Sequence, residues 1–271
     1  MSTERVLILG AIAGATIFLG LPIGRVRSFD PRARASLSAL ATGSLLFLFW
    51  DVLSGGVEPV EAALDDRAWG RFTGLSALLA GAFALGLMGL VHYDDWMARR
   101  RRVPAAVDEL ATRSAVGGLT PGRHLALLIA IGIGVHNFAE GLAIGQSAAA
   151  GDIALAVTLI VGFALHNATE GFGIVGPLGA EGELPSWRFL AAMGLIGGGP
   201  TFVGTIVGQA WVSDALSVAF LALAGGSILY VVVQLFGVNR RFPYPKLVMW
   251  MVFAGVVLGF ATDFVIAAAG V

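Results

Sequence analysis

Eight apolar stretches, at roughly 5–24, 34–56, 70–97, 122–148, 152–176, 187–211, 214–237 and 245–269, fill most of this 271-residue chain. Each is long enough to cross a hydrocarbon core of about 30 Å as a helix, which needs about 20 residues. Lipid offers backbone N–H and C=O groups no partners, so only helices or closed barrels cross it. Barrel strands are shorter and alternate apolar with polar residues. The unbroken apolarity of these runs therefore predicts an all-α polytopic membrane protein with eight transmembrane helices. Charged residues make up only 13% of the chain, against about 25% in soluble domains. Met1–Arg5 ahead of the first run resembles the start of a signal peptide. No polar mature sequence follows it, so the run is read as the first span.

The basic residues test the count. With eight spans, the loops after spans one, three, five and seven share one side of the membrane. They hold Arg25, Arg27, Arg32, Arg34, Arg99–Arg102, Arg113, Arg123, Arg188, Arg240, Arg241 and Lys246, leaving only Arg5, Arg67 and Arg71 opposite. The positive-inside rule then places both termini outside. Trp69, Trp96, Trp187, Trp211 and Trp250 fall near span ends, as an interfacial aromatic belt requires. The one sizeable loop, 98–121, is cytoplasmic. Its arginine run reads as a topology anchor, and it carries no histidine cluster for metal sensing. The chain is otherwise a single transmembrane domain, 1–271. A net charge of −1 leaves no nucleic-acid footprint.

Two polar motifs break the apolar pattern. His136-Asn137-Phe138-Ala139-Glu140-Gly141 lies near the middle of span four, and His166-Asn167-Ala168-Thr169-Glu170-Gly171 near the middle of span five. Histidine and glutamate four residues apart share one helix face. Ionisable groups at membrane depth are costly and mark function. For a single such pair a helix–helix hydrogen bond is the lesser reading, and for a matched pair in the same order it is weaker still. With no cysteine in the chain, a metal would be bound by N and O donors. Imidazole, carboxylate and amide oxygen suit Zn²⁺, and also Fe²⁺, Mn²⁺ or Cd²⁺. Matched motifs at equal depth on consecutive, antiparallel helices predict a pseudo-two-fold axis in the membrane plane, an inverted arrangement around helices four and five with a midplane site. Asn167-Ala168-Thr169 fits a glycosylation sequon but lies within a span.

Other polar residues carry less weight. Asp51 and Asp263 lie in the outer parts of spans two and eight, as an acidic entrance or as interfacial pairing partners. Gln234, near the inner end of span seven, reads equally as exit lining or as a helix–helix hydrogen bond. Ser44 reads as a packing residue that also borders the pathway. His92 and His124 read as interfacial rather than as ligands.

These motifs resemble those of the ZIP (Zrt/Irt-like) family of divalent metal transporters, bacterial type, with His-Asn-x-Pro-Glu-Gly in span four and a related motif in span five. Ala224-Gly225-Gly226-Ser227-Ile228-Leu229-Tyr230-Val231-Val232-Val233 is similar to the family's span-seven signature. The resemblance implies inward transport of the metal as substrate, with no other cofactor and no enzymatic activity, through an elevator-like slide of spans including four and five. It implies a first metal site of His136, Glu140, His166 and Glu170, and a second of Asn137, Glu140, Asn167 and Glu170 bridged by both glutamates. It also places Asp51 and Asp263 near the outer entrance. Three departures stand out. Ala139 and Thr169 replace the family's prolines, which predicts straighter helices. Gly199-Pro200 stands where many bacterial members have Glu-Pro, and Gln234-Leu235 where relatives carry Glu or His. One strong site and a weak or absent second one are therefore expected.

The competing classes are an intramembrane zinc hydrolase, which lacks a His-Glu-x-x-His motif here, and a non-transporting metal sensor of the same fold. Composition points to a multi-pass protein of a bacterial inner (cytoplasmic) membrane. The preferred metal, proton coupling and oligomeric state, a homodimer included, stay open at this level.

Overall fold

In a computed structural model, residues 3–26, 30–101, 119–151, 160, 166–180 and 184–268 are described. All regular structure among them is helical. The first span divides into α1 (Thr3–Ala15), α2 (Ile17–Gly20) and a 3-10 turn, Leu21–Arg25. Then come α3 (Pro31–Asp65), α4 (Trp69–Arg101) and α5 (Pro121–Ala149). Residues 166–175 form α6, followed by α7 (Trp187–Ala210), α8 (Asp214–Asn239) and α9 (Pro245–Ala268).

The start signals are local. Asp30 Oδ1 accepts from the Arg32 N–H at 3.0 Å and Pro31 follows it. Thr120 and Ser186 cap α5 and α7 through the N–H groups of Arg123 and Phe189. A side-chain oxygen at the cap and proline in the first turn both suit an end whose N–H groups lack helical partners. Several helices outrun their apolar windows: α3 continues to Asp65 and α4 through Arg101. Hydropathy marks only the part in lipid, while helical hydrogen bonding continues into the polar turns. Most of loop 98–121 and the first half of span five fall outside the described residues.

Span one was expected as a continuous helix over 5–24 and is broken at Thr16. The Ala13 carbonyl accepts from the Thr16 N–H at 3.2 Å, from Thr16 Oγ1 at 2.6 Å and from Asn167 Nδ2 at 3.1 Å. These donors occupy a carbonyl that would otherwise extend the helix. Pro22, which has no N–H, then sits in the 3-10 turn. By contrast α5 is one unbroken helix through Ala139, as expected without the proline.

Helix directions follow from who touches whom. Gly141 and Gly145 of α5 abut Thr201 and Thr205 of α7, so these two helices are parallel. The chain must therefore return between them, and α6 runs that way. His166 meets Glu140 while Asn137 meets Glu170, an antiparallel register. The remaining pairs fit one alternation. Helices α3 and α9 are parallel (Leu40 by Gly255, Phe47 by Gly259), as are α4 and α8 (Arg71 with Asp214, Asp94 with Tyr230). Helices α1 and α7 are antiparallel (Gly10 by Thr205, Gly14 by Gly198). Among the described residues, seven helices are long and apolar enough to cross a membrane, and α6 lies on the eighth crossing. Among the described residues Arg25, Arg32, Arg34, Arg99, Arg123, Arg188, Arg240, Arg241 and Lys246 then share one end, and Arg5, Arg67 and Arg71 lie at the other. Trp69, Trp96, Trp187, Trp211 and Trp250 are exposed on the perimeter.

Lipid tails are as apolar as leucine, so helices associate by close packing and hydrogen bonding. Glycine supplies the closeness. A Cβ on Gly141 would come within 3.0 Å of the Thr201 carbonyl oxygen, and one on Gly204 would strike that of Phe138. The same holds for Gly14 with Gly198, Gly171 with Ile17, Gly43 with Val252 and Gly226 with Phe83. Among the described residues, all such backbone approaches under 3.0 Å fall within two groups: α1, α2, α5, α6 and α7, and α3, α4, α8 and α9. Between the groups, glycines of α5, α6 and the 3-10 turn after it mainly meet side chains: Gly132 meets Val231, with the Ser227 carbonyl farther off at 3.4 Å, Gly173 meets Ala41 and Leu45, and Gly176 meets Ser38. Gly141→Val forces α5 and α7 apart and is expected to lower stability by about 1–3 kcal/mol, the usual range for overpacking. Gly237→Val, where a Cβ meets nothing within 4 Å, serves as the control. Thermal unfolding in detergent distinguishes them, and equal melting temperatures would contradict the packing argument.

Candidate metal centre

Helix α5 carries His136, Asn137 and Glu140, and α6 carries His166, Asn167 and Glu170. All but His166 are nearly inaccessible, and His166 is only slightly exposed. The antiparallel register sets each histidine opposite the other helix's glutamate. Glu140 Oε1 lies 2.5 Å from His166 Nε2 and 2.9 Å from His136 Nε2. Glu170 Oε1 lies 3.7 Å from His136 Nε2. One donor atom each from His136, Glu140 and His166 falls within 4.8 Å of the others.

The asparagines face two ways. Asn137 Nδ2 donates to Glu170 Oε2 at 3.2 Å and to the Gly197 carbonyl of α7 at 2.9 Å. Asn167 Nδ2 donates to the Ala13 carbonyl of α1 at 3.1 Å. Each amide thereby fixes its helix to a neighbour and turns its oxygen loose. His136 Nδ1 and Nε2, Asn137 Oδ1, Glu140 Oε2, Asn167 Oδ1 and Glu170 Oε1 are buried with no hydrogen-bond partner among the described residues. The His136–Glu140 approach is close but poorly directed for a hydrogen bond. Buried polar atoms are normally satisfied, and each exception needs a reason. Apart from ring nitrogens that can carry a proton, the unpaired atoms are acceptors. An excess of buried acceptors suits a cation, so this donor set could hold a divalent metal ion.

A cavity of about 150 Å³ borders the cluster. His166 and Thr169 form one wall, and Ser44, Phe47, Leu48, Leu258, Gly259 and Thr262 of α3 and α9 form the other. Ser44 is both buried packing and cavity lining; its Oγ donates to the Gly255 carbonyl at 3.4 Å. Asp263 directly follows Thr262, and Asp51 lies one turn beyond Leu48, toward the end away from the arginines. Asp51 is half-buried and within electrostatic range of Asp263, His136, His166 and Glu140. Ser44 thus adjoins the cluster through the cavity, and the two acids lie just beyond its lining.

Gln234 does not join them. It lies beside Tyr230 near the basic end, where the Tyr230 hydroxyl donates to Asp94, and Asp94 also meets His124. His124, in the first turn of α5, is buried there, whereas His92 is exposed and bonds the Met88 carbonyl of its own helix. A Cβ at Gly199 would meet nothing within 4 Å; what α7 gives the cluster is the Gly197 carbonyl. Sequence reading missed that carbonyl, the Ala13 carbonyl and the cavity-lining Thr169 and Thr262. Backbone carbonyls leave no trace in residue identity. The only available signals were Thr16 and Pro22, helix-disturbing residues in an otherwise smooth span. The sequon at Asn167 is a coincidence of letters, because its amide is buried and bonded.

The sequence profile of the ZIP zinc transporter family matches residues 107–267, a stretch that includes both motifs, α7, α8 and nearly all of α9. No curated protein matches this chain closely enough to count. A buried His/Glu cluster in a bundle of membrane-length helices, with a family profile over more than half the sequence, leaves one classification: this chain belongs to the ZIP zinc transporter family, whose members carry divalent metal ions across membranes.

Proposed function

We propose that this protein moves a divalent transition-metal ion, zinc foremost, into the cytoplasm through a site made of His136, Glu140, His166 and Glu170. One observation supports this above all: two carboxylates and two imidazoles converge in a buried pocket that holds more acceptors than donors. A tetrahedral zinc with bonds near 2.1 Å keeps its donors about 3.4 Å apart. The spacings of 2.9 and 3.7 Å around His136 Nε2 are of that size. Two ionised glutamates balance the ion's charge, which removes most of the cost of holding it in a low-dielectric site. The imidazoles favour zinc, cadmium, iron(II) or manganese over magnesium and calcium, which prefer oxygen donors alone.

The direction follows from charge. The end rich in arginine belongs in the cytoplasm, which sets both chain ends outside and gives the protein a multi-pass place in the inner (cytoplasmic) membrane. Asp51 and Asp263 then lie on the outer side of the cluster. Ions would arrive past these acids, cross the cavity and reach His166 first. Asn137 orients Glu170, and Asn167 anchors α6 on α1. Their free Oδ1 atoms offer a second, weaker position bridged by the glutamates. No carboxylate from α7 strengthens it, because Gly199 brings no side chain.

Two expectations follow, both read in proteoliposomes containing purified protein with a panel of Zn²⁺, Cd²⁺, Fe²⁺ and Mn²⁺. Glu140→Ala lowers saturable uptake by about 100-fold or more, the scale of removing one partner from a buried charged set. Glu170→Ala is milder, because Glu140 lies against two imidazoles and Glu170 against one. Normal flux through folded Glu140→Ala protein would refute the assignment, and tight binding without flux in the wild type would favour a sensor. The double variant Asp51→Asn plus Asp263→Asn raises KM about 3–10-fold with kcat nearly unchanged, since it removes steering charge without touching the ligands. A fall in kcat at constant KM would instead place these acids in the translocation step.

A further inference from the structure

An apolar groove of about 330 Å³ crosses the seam between the two helix groups on the surface of the bundle. Ile131 and Val135 of α5 and Ile196 and Pro200 of α7 wall it on one side, and Phe220 and Leu223 of α8 on the other. Its floor depends on a glycine. Gly134 brings α5 against the Ile196 carbonyl and the Pro200 ring, and puts no side chain of its own into the hollow. Phe138 meets Phe220 across the seam, with ring centroids 4.6 Å apart. Val135 directly precedes His136, so the groove lies at the depth of the metal cluster. Among the described residues no polar side chain lines it, and water in it would find no partners.

Two arginines stand below the groove. Helices α5 and α7 are parallel and both begin at the basic end, with Arg123 in the first turn of one and Arg188 in the first turn of the other. Each lies eight residues before the groove isoleucine of its own helix, Ile131 or Ile196, about 12 Å at 1.5 Å per residue. The Arg123 guanidinium lies 5.7 Å from the centroid of the Phe189 ring, which is next in sequence to Arg188. Along α5 the half-buried residues Arg123, Leu127, Ile131, Val135 and Phe138 recur every three or four positions, one face of a helix. That face leads from the arginine into the groove. Trp187, exposed beside Arg188, marks the level of the membrane interface.

We propose that this face binds one anionic phospholipid from the leaflet at the basic end, with its headgroup at Arg123 and Arg188 and one acyl chain lying along the groove toward Phe138 and Phe220. Charge and depth select this occupant. Two arginines at the positive ends of two parallel helices favour a headgroup of net negative charge. From Arg123 to Val135 is twelve residues, about 18 Å along the helix. That is the depth of one leaflet of a core about 30 Å thick, with part of its headgroup layer. A chain so placed touches both helix groups and fills the seam between them. The proposal uses the orientation of the bundle in the bilayer and not metal transport, because lipid binding needs no flux.

The test is made on delipidated protein in detergent, titrated with dioleoyl phosphatidylglycerol or dioleoyl phosphatidylcholine, with bound lipid counted by native mass spectrometry. The wild type is expected to hold one phosphatidylglycerol about tenfold more tightly than phosphatidylcholine, the scale of two arginines at a lipid surface. Arg123→Gln together with Arg188→Gln should bring that ratio to within about twofold. Leu223→Trp fills the groove from α8 and should weaken phosphatidylglycerol binding about tenfold by excluding the acyl chain. Melting temperatures in detergent check that each variant is folded. The arginines lie at the helix starts, so their double variant decides the matter if Leu223→Trp folds poorly. An unchanged ratio in that double variant overturns the site. So does a wild type that takes up several phosphatidylglycerols with equal affinity, which is annular lipid only. Loss of the ratio in the double variant with full affinity in folded Leu223→Trp overturns the seating of the chain in the groove.

Discussion

Glycine against backbone is the contact on which this structure depends. Without water to drive association, a membrane helix gains from its neighbour mainly by coming close enough for dense packing and weak hydrogen bonds. Gly141, Gly145, Gly204 and Gly208 bring α5 and α7 together along most of their length, and Gly43 and Gly255 do the same for α3 and α9. Such contacts are steep: no side chain can be inserted and the helices cannot slide without collision. The faces between the two groups are different. They are lined by side chains such as Val231, Leu45 and Leu235, all part of one continuous apolar cluster. Side chains can change rotamer and exchange neighbours; a glycine seated on a carbonyl cannot. Two stiff groups with a softer seam follow directly from where the glycines lie.

Much of this was legible in the residues. Length and apolarity gave the helices, and alternating basic loops gave an even number of crossings, which the parallel course of α5 and α7 requires. The repeated motif gave the cluster, because His and Glu four apart must share a face. What could not be read was anything carried by backbone. The break at Thr16 depends on the Ala13 carbonyl accepting from Asn167, more than 150 residues away in sequence. The asparagines look like ligands when read as letters. In the fold their amide N–H groups are committed to carbonyls on α1 and α7, and only their oxygens remain. His124 shows in the sequence only as a histidine near a span end. Its burial depends on Asp94 and Tyr230, which no local pattern connects to it.

The repeat has a geometric reason beyond the metal. In both copies the asparagine donates to a carbonyl of a neighbouring helix, Gly197 of α7 for Asn137 and Ala13 of α1 for Asn167. In both, the closing glycine seats that same neighbour: Gly141 meets Thr201 of α7, and Gly171 meets Ile17 and Gly20 of α2. Helix α7 stands to α5 as the first span stands to α6. The inverted symmetry expected for α5 and α6 thus extends to four crossings, with the histidine–glutamate cluster near its axis. It is not perfect. Asn137 also reaches Glu170, whereas the Asn167 amide is held by Ala13. Glu140 therefore lies against two imidazoles and Glu170 against one imidazole and one amide. A symmetric frame holds two unequal carboxylates.

All six polar residues of the cluster, and both carbonyls that brace them, lie in the group of α1, α2, α5, α6 and α7. The other group supplies only cavity wall: Ser44, Phe47, Leu48, Leu258, Gly259 and Thr262. A site whose ligands came from both groups would lose its geometry whenever the seam moved, and the buried carboxylates would be left without partners at several kcal/mol each. A site carried by one group would keep every donor if that group shifted, and only its exposure would change. Such a site can pass from one face of a barrier to the other without its ligands being pulled apart. The division of the helices is set by glycines that touch no metal, and it decides whether the histidines and glutamates can travel together.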